Sequence, residues 1–91
     1  MITLAICDDE IIQRKLNEKK IVQVLENLNT DYNIDEYSDG QELVQSEIFY
    51  DIVFLDIKMK KLDGIETAKE IKKIIPNVII VFLTSFDNYV Y

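Results

Sequence analysis

The chain has 91 residues, with 10 lysine and arginine residues against 17 aspartate and glutamate residues and a formal net charge of −7. This acidic balance argues against direct binding to nucleic acid or to anionic lipid, because both ligands are bound by basic surfaces. One cysteine and no histidine exclude an internal disulfide and a histidine-containing zinc site, and no apolar run approaches the ~20 residues of a membrane span, so we expect a cytoplasmic protein with no membrane partner.

The first predicted elements are a buried strand and a long helix. Every residue from Ile2 to Cys7 is apolar except Thr3, which favours a strand buried on both faces. Residues 10 to about 28 favour a helix, because apolar side chains recur there at helical spacing. The members of this stripe are Ile21, Val24, Leu25 and Leu28.

The next segments are more polar and shorter. Tyr32 to Tyr37 is a polar segment, so we expect a strand at the edge of a sheet. Ser38 and Gln41 have the spacing of a capping box, which predicts the start of a short helix. Leu43 and Val44 give that helix its apolar side.

The second half of the chain contains two apolar strands around an amphipathic helix. The strands are Ile52 to Leu55 and Val78 to Leu83, and Pro76 ends the helix between them. The apolar stripe of the helix consists of Ile65, Ala68, Ile71 and Ile75. The order βαβαβαβ with apolar strands predicts an α/β fold, a doubly wound parallel sheet with helices on both faces.

Polar side chains follow three of the apolar strands at the point where each strand ends. Asp8 and Asp9 follow the first strand, Asp56 the third and Thr84 the fourth. Each alone could be a helix cap or a turn residue. Because open α/β sheets bind ligands at the carboxyl edge where these strands end, we expect the four residues to converge. Crowded carboxylates repel one another unless they share a cation or a proton, which favours Mg²⁺ or Mn²⁺.

The motifs resemble the receiver domain of bacterial two-component response regulators. The resemblance rests on Asp8-Asp9-Glu10, Asp56-Ile57-Lys58-Met59, Leu62-Asp63-Gly64 and Thr84-Ser85, whose spacing matches the family along the whole chain. It implies a flavodoxin-like fold with strand order 2-1-3-4 and no enzymatic activity beyond slow autodephosphorylation. The ending Thr84-Ser85-Phe86-Asp87 also resembles the branch that precedes a LytTR-type DNA-binding domain.

The resemblance implies a role for each motif residue. Asp56 would be the phosphoacceptor, taking a phosphoryl group from a sensor histidine kinase. Asp8, Asp9, Asp56 and the backbone carbonyl of Lys58 would bind Mg²⁺. Thr84 would contact the phosphoryl group and act as the switch. The signal would pass to an output domain for transcription regulation, which this chain does not contain.

The chain departs from the family pattern in two respects. Lys60 stands where the family usually has proline. The family's fifth strand, with its catalytic lysine, and the last helix have no counterpart, so we expect residues 1–91 to form a single, incomplete receiver domain of four of the five βα units. Phosphorylation would then be weak or absent, and the strand Val78 to Leu83 would lie at the sheet edge and favour self-association.

The sequence leaves two other functions open. One is a truncated receiver that accepts no phosphate and acts only as an oligomerisation module. The other is a small Mg²⁺-dependent aspartyl phosphohydrolase, although Asp8-Asp9-Glu10 lacks the Asp-x-Asp spacing of haloacid-dehalogenase-like enzymes. Repeated turnover of a small phosphate ester would identify the enzyme, whereas stoichiometric labelling would identify the receiver.

Overall fold

The structure, a computed structural model, describes residues 1–59 and 62–83. In these ranges the elements are β1 (Ile2–Cys7), α1 (Ile11–Asn27), β2 (Tyr32–Tyr37), α2 (Gly40–Val44), β3 (Ile52–Asp56), α3 (Gly64–Ile74) and β4 (Ile79–Leu83). None of the helices in these ranges is long and apolar enough to cross a membrane.

The four strands form one sheet in the order β2-β1-β3-β4, and every neighbouring pair is parallel. The predicted α/β class, the parallel sheet and the strand order are therefore confirmed. In the register of the sheet, Cys7 lies beside Leu55, and Asp56 lies beside Leu83. The strands consequently end at a common carboxyl edge.

Helices lie on both faces of the sheet. Successive residues of a strand point to opposite faces, so each central strand contacts helices on both sides. Ala5, Cys7, Val53 and Leu55 belong to the main core, together with residues of α2 and α3. The alternate residues of β1, among them Leu4, face the side of the sheet that carries α1. The four residues of β1 from Leu4 to Cys7 are buried, whereas Ile52 and Phe54 of β3, which face α1, are only half-buried.

The apolar stripe predicted on α1 is only partly buried. Leu25 is buried, but Val24 and Leu28 are 57% and 66% exposed. With Ile2 and Phe54 they line an apolar groove of about 420 Å³ between α1 and the sheet. Periodicity correctly identified the face of α1 that points to the sheet, but among the described residues α1 leaves part of that sheet face uncovered.

The start of α2 corrects one prediction from the sequence. The prediction of a capping box formed by Ser38 and Gln41 is wrong. Asp39 is the N-cap, and its Oδ1 accepts a hydrogen bond from the Glu42 N–H at 2.8 Å. The Ser38 hydroxyl instead donates to the Glu42 carboxylate at 3.0 Å. Aspartate caps a helix as well as serine does, so the helix begins one residue later than predicted.

The last two elements follow the prediction closely. The helix α3 ends at Ile74, two residues before Pro76, and buries Ala68 and Ile71. The strand β4 begins at Ile79, which is 58% exposed. Among the described residues β4 is an outer strand of the sheet, and its other residues are half-buried.

Candidate metal centre

Two loops at the carboxyl edge of the sheet bring three aspartates together. Asp8 and Asp9 follow β1, and Asp56 is the last residue of the neighbouring strand β3. One carboxylate oxygen from each of the three lies within 4.8 Å of the other two. The strand topology predicted this convergence. Thr84, the fourth residue expected at this edge, lies outside the described residues, as do Lys60, Ser85 and the segment 86–91.

Asp8 is the most buried of the three aspartates. Its carboxylate Oδ1 accepts a hydrogen bond from the Glu10 N–H at 2.9 Å, and its own N–H donates to the Tyr37 carbonyl at 3.1 Å. Burial raises the pKa of this carboxyl, and the bond from Glu10 opposes the rise only in part. Asp8 is therefore a fixed group whose ionised form is destabilised by its surroundings.

Asp56 shows the strongest perturbation in the cluster. Burial, followed by the negative charge of Asp8, raises the pKa of the Asp56 carboxyl from 3.8 to about 6. Backbone hydrogen bonds from Lys58 and Ile57 oppose this rise. A cation bound between these carboxylates would relieve the same repulsion, because opposite charge favours the ionised form.

A cleft of about 340 Å³ opens beside the cluster and is lined, among the described residues, by Asp9, Glu10, Lys58 and Met59. The Lys58 side chain is exposed, whereas Met59 is buried and its sulfur accepts a contact from the Cys7 thiol at 3.6 Å. Met59 thus attaches the loop after β3 to the core. Asp9 is reachable from this cleft.

The start of α3 lies directly against the backbone of Asp56. Asp63 caps this helix by accepting a bond from the Glu66 N–H at 2.8 Å, and the Gly64 N–H donates to the Ile57 carbonyl at 2.9 Å. A Cβ atom at position 64 would lie only 2.3 Å from the Asp56 carbonyl oxygen. Glycine at this position therefore allows the helix to approach the strand end that carries Asp56.

Arg14 is a residue of this region that the sequence analysis missed. Its Nη1 donates to the backbone carbonyl of Asp8 at 2.8 Å, and its Nε donates to the Glu36 carboxylate at 3.0 Å. A cation near the start of a helix opposes the helix dipole. The sequence gives no signal for the partners of Arg14, because Glu36 lies 22 positions away and meets it only through the pairing of β1 with β2.

The donor set fits a hard divalent cation. Three carboxylates offer oxygen ligands only, which suits Mg²⁺ and Mn²⁺ better than softer metals. The cluster contains no thiol ligand, since the buried Cys7 faces Met59. A bound cation would also offset the negative charge of Asp8, which after burial is the next cause of the raised pKa of Asp56.

Comparison of the sequence with known proteins matches one protein family and several relatives from bacteria. The family model described as "Response regulator receiver domain" matches residues 4–91. An uncharacterised transcriptional regulatory protein of Bacillus subtilis, YxjL, is 32% identical over 93 residues, which cover 99% of this chain and 40% of that protein. The response regulator VraR of Staphylococcus saprophyticus is 35% identical over 71 residues, covering 70% of this chain and 34% of its own. The chain thus spans less than half the length of these two relatives.

Solved structures show the same fold. The response regulator TrrA of Thermotoga maritima, in complex with Mg²⁺ and beryllium fluoride, has a TM-score of 0.79 at 31% identity and covers 94% of this chain and 71% of its own. A complex of the histidine kinase ThkA with TrrA matches with a TM-score of 0.77 at 31% identity, covering 98% of this chain and 73% of that chain.

Proposed function

The chain belongs to the response regulator receiver domain family, and from that membership and its acidic site we propose that it accepts a phosphoryl group on Asp56. In this proposal Asp8, Asp9, Asp56 and the Lys58 carbonyl bind Mg²⁺ or Mn²⁺, and Thr84 is the switch residue. The metal, when bound, offsets negative charge on the phosphoryl oxygens. A single sheet supports the further proposal that residues 1–91 form one domain.

The observation that carries the proposal is the placement of Asp56. It ends a central strand, it lies within 4.8 Å of two further carboxylates, and the loop that follows it lines an open cleft. A carboxylate oxygen of Asp56 would form a bond to phosphorus while the bond between phosphorus and the donor breaks, and the leaving group would take up a proton. Such a carboxylate must be ionised to react, which the neighbouring metal would favour.

The phosphodonor in this proposal is a sensor histidine kinase. The complex of TrrA with the histidine kinase ThkA supports this choice, because TrrA is 31% identical to this chain. The description of the Bacillus relative as a transcriptional regulatory protein supports a DNA-binding output domain. The assignment to a LytTR branch remains a prediction from residues 84–87. A cytoplasmic location and the absence of direct nucleic acid binding belong to the same proposal, and the net charge of −7 supports the latter.

The number of phosphoryl groups transferred per protein molecule distinguishes a receiver from a phosphohydrolase. The protein is incubated with acetyl phosphate and Mg²⁺, and bound and released phosphate are measured separately. The receiver is expected to gain at most one phosphoryl group, which alkali and hydroxylamine remove as they do from an acyl phosphate. Slow loss of this group would be its only turnover. Many turnovers of 4-nitrophenyl phosphate, abolished by Asp56→Asn, would favour the enzyme instead.

A second candidate function, self-association, is favoured by the character of β4. Val78 to Leu83 carries no charge and no proline, and Ile79 is 58% exposed on a strand that is outermost among the described residues. Such an edge lacks the usual features that prevent strands from pairing with another chain. A two-fold dimer through β4 would bury this edge.

A further inference from the structure

The two peptide groups on either side of Asp8 are both tied to β2, which is an outer strand among the described residues: the first directly, and the second, which joins Asp8 to Asp9, through Arg14. The Asp8 N–H donates to the carbonyl of Tyr37, the last residue of β2. The Asp8 carbonyl accepts from Arg14 Nη1 at 2.8 Å, and Arg14 Nε donates to Glu36 at 3.0 Å. The arginine therefore bridges the acidic loop and β2, and its side chain is only 13% exposed.

The direction of the Asp8 carbonyl determines how Asp9 enters the site. A peptide group is planar, so the carbonyl of Asp8 and the N–H of Asp9 rotate together. If the Asp8 carbonyl turns, the backbone of Asp9 turns with it, and the distance between the two carboxylates changes. Groups that orient ligands in this way are part of a metal site although they do not touch the metal.

We infer that Arg14 is a positioning residue for the metal centre: it fixes the Asp8–Asp9 peptide through the Asp8 carbonyl and thereby sets the affinity of the three aspartates for Mg²⁺. This inference rests on the proposed function. Glu36 holds the guanidinium group in place from the end of β2. The planar fork of arginine can serve both partners at once, which the single ammonium group of lysine cannot do in the same geometry.

The sign of the effect distinguishes positioning from simple electrostatics. Arg14 is a cation close to a cation-binding site, so removal of its charge alone would strengthen Mg²⁺ binding. Loss of its positioning role would weaken binding. Lys15 offers a matched control, because it has the same charge and donates to the other oxygen of Glu36 at 2.7 Å, but it is 56% exposed and its ion pairs are with Glu36 and Glu18.

The experiment is a calorimetric titration of the protein with MgCl₂, using wild type, Arg14→Gln, Arg14→Lys and Lys15→Gln. We expect Arg14→Gln to weaken Mg²⁺ binding about tenfold, as is typical when a group that orients a metal ligand is removed. Lys15→Gln should bind Mg²⁺ as tightly as wild type or slightly more tightly. Arg14→Lys, which keeps the charge, should give an intermediate affinity.

Three outcomes would overturn the inference. Arg14→Gln binding Mg²⁺ as tightly as wild type, or more tightly, would show that Arg14 does not position the metal ligands. If circular dichroism shows that Arg14→Gln is unfolded, Arg14→Lys decides, and an affinity equal to that of wild type would refute the positioning role. A wild-type protein that binds no Mg²⁺ would refute the proposed metal centre as well, so the two failures are distinguishable.

Discussion

Replacing Asp56 by asparagine should stabilise the protein in the absence of metal at neutral pH. Asp56 ends a central strand beside the buried Asp8, and both burial and the charge of Asp8 disfavour its ionised form. Asparagine has nearly the same shape, still accepts hydrogen bonds through its carbonyl oxygen, and carries no charge. The substitution therefore removes a repulsion that folding imposes.

The size and the pH window of this effect follow from the pKa of Asp56. A rise from 3.8 to about 6, at about 1.4 kcal/mol per pKa unit, gives an upper limit of about 3 kcal/mol, and solvent in the open cleft reduces this to about 1–2 kcal/mol. Between these two pH values the folded protein binds more protons than the unfolded chain, so its stability falls as pH rises. The gain from Asp56→Asn should be complete at neutral pH and absent below pH 3.8.

The assay is urea unfolding with a chelator present, at neutral pH and in acid. Asp39→Asn is the matched control, because Asp39 caps α2 and asparagine caps a helix equally well. Added Mg²⁺ should reduce or reverse the difference in the free energy of unfolding between Asp56→Asn and wild type, because the metal stabilises wild type more than the variant. An Asp56→Asn variant that is less stable than wild type at neutral pH, or a difference that does not change with pH, would refute this reasoning.

Three further predictions concern the metal, the approach of α3 and the edge of the sheet. At a concentration 100 times its dissociation constant, Mg²⁺ should stabilise wild type by about 2.7 kcal/mol, seen as a higher melting temperature, and Asp9→Ala should lose most of this gain; equal shifts would contradict the metal centre. Gly64→Ala should destabilise the fold by about 1–3 kcal/mol in urea unfolding and weaken Mg²⁺ binding, because the new Cβ would displace the Asp56 backbone; wild-type values in both assays would contradict this. In analytical ultracentrifugation wild type should sediment as a dimer and Ile80→Lys as a monomer, and a dimer that is indifferent to Ile80→Lys would exclude β4 as the interface.

The sequence predicts most of this fold because its signals are local or topological. Continuous apolar runs mark β1 and β3 as central strands, and the sheet class follows from the alternation of strands and helices. The meeting of Asp8, Asp9 and Asp56 follows from a rule about strand ends, without knowledge of any side-chain contact.

Features that depend on distant contacts were not predictable. The bond between Arg14 and Glu36 joins residues 22 positions apart and requires the register of β1 against β2. The exposure of Val24 and Leu28 depends on which element covers the groove beside α1, whereas helical periodicity reports only which residues share a face. The observed N-cap of α2, Asp39, lies one residue after the predicted one, because Ser38 and Asp39 are both good capping residues and local sequence does not choose between them.

The most direct test of the central claim is to locate the phosphoryl group. The protein is treated with acetyl phosphate and Mg²⁺ and then reduced with borohydride, which converts an aspartyl phosphate to homoserine. Peptide mass spectrometry locates the homoserine. Asp63→Asn is the control for a nearby exposed aspartate. If Asp56 is the phosphoacceptor, homoserine is expected at position 56 in wild type and in Asp63→Asn, at low yield. None is expected when Mg²⁺ is omitted or in Asp56→Asn. Homoserine at another position, an equal yield without Mg²⁺, or none at position 56 in wild type would contradict this assignment.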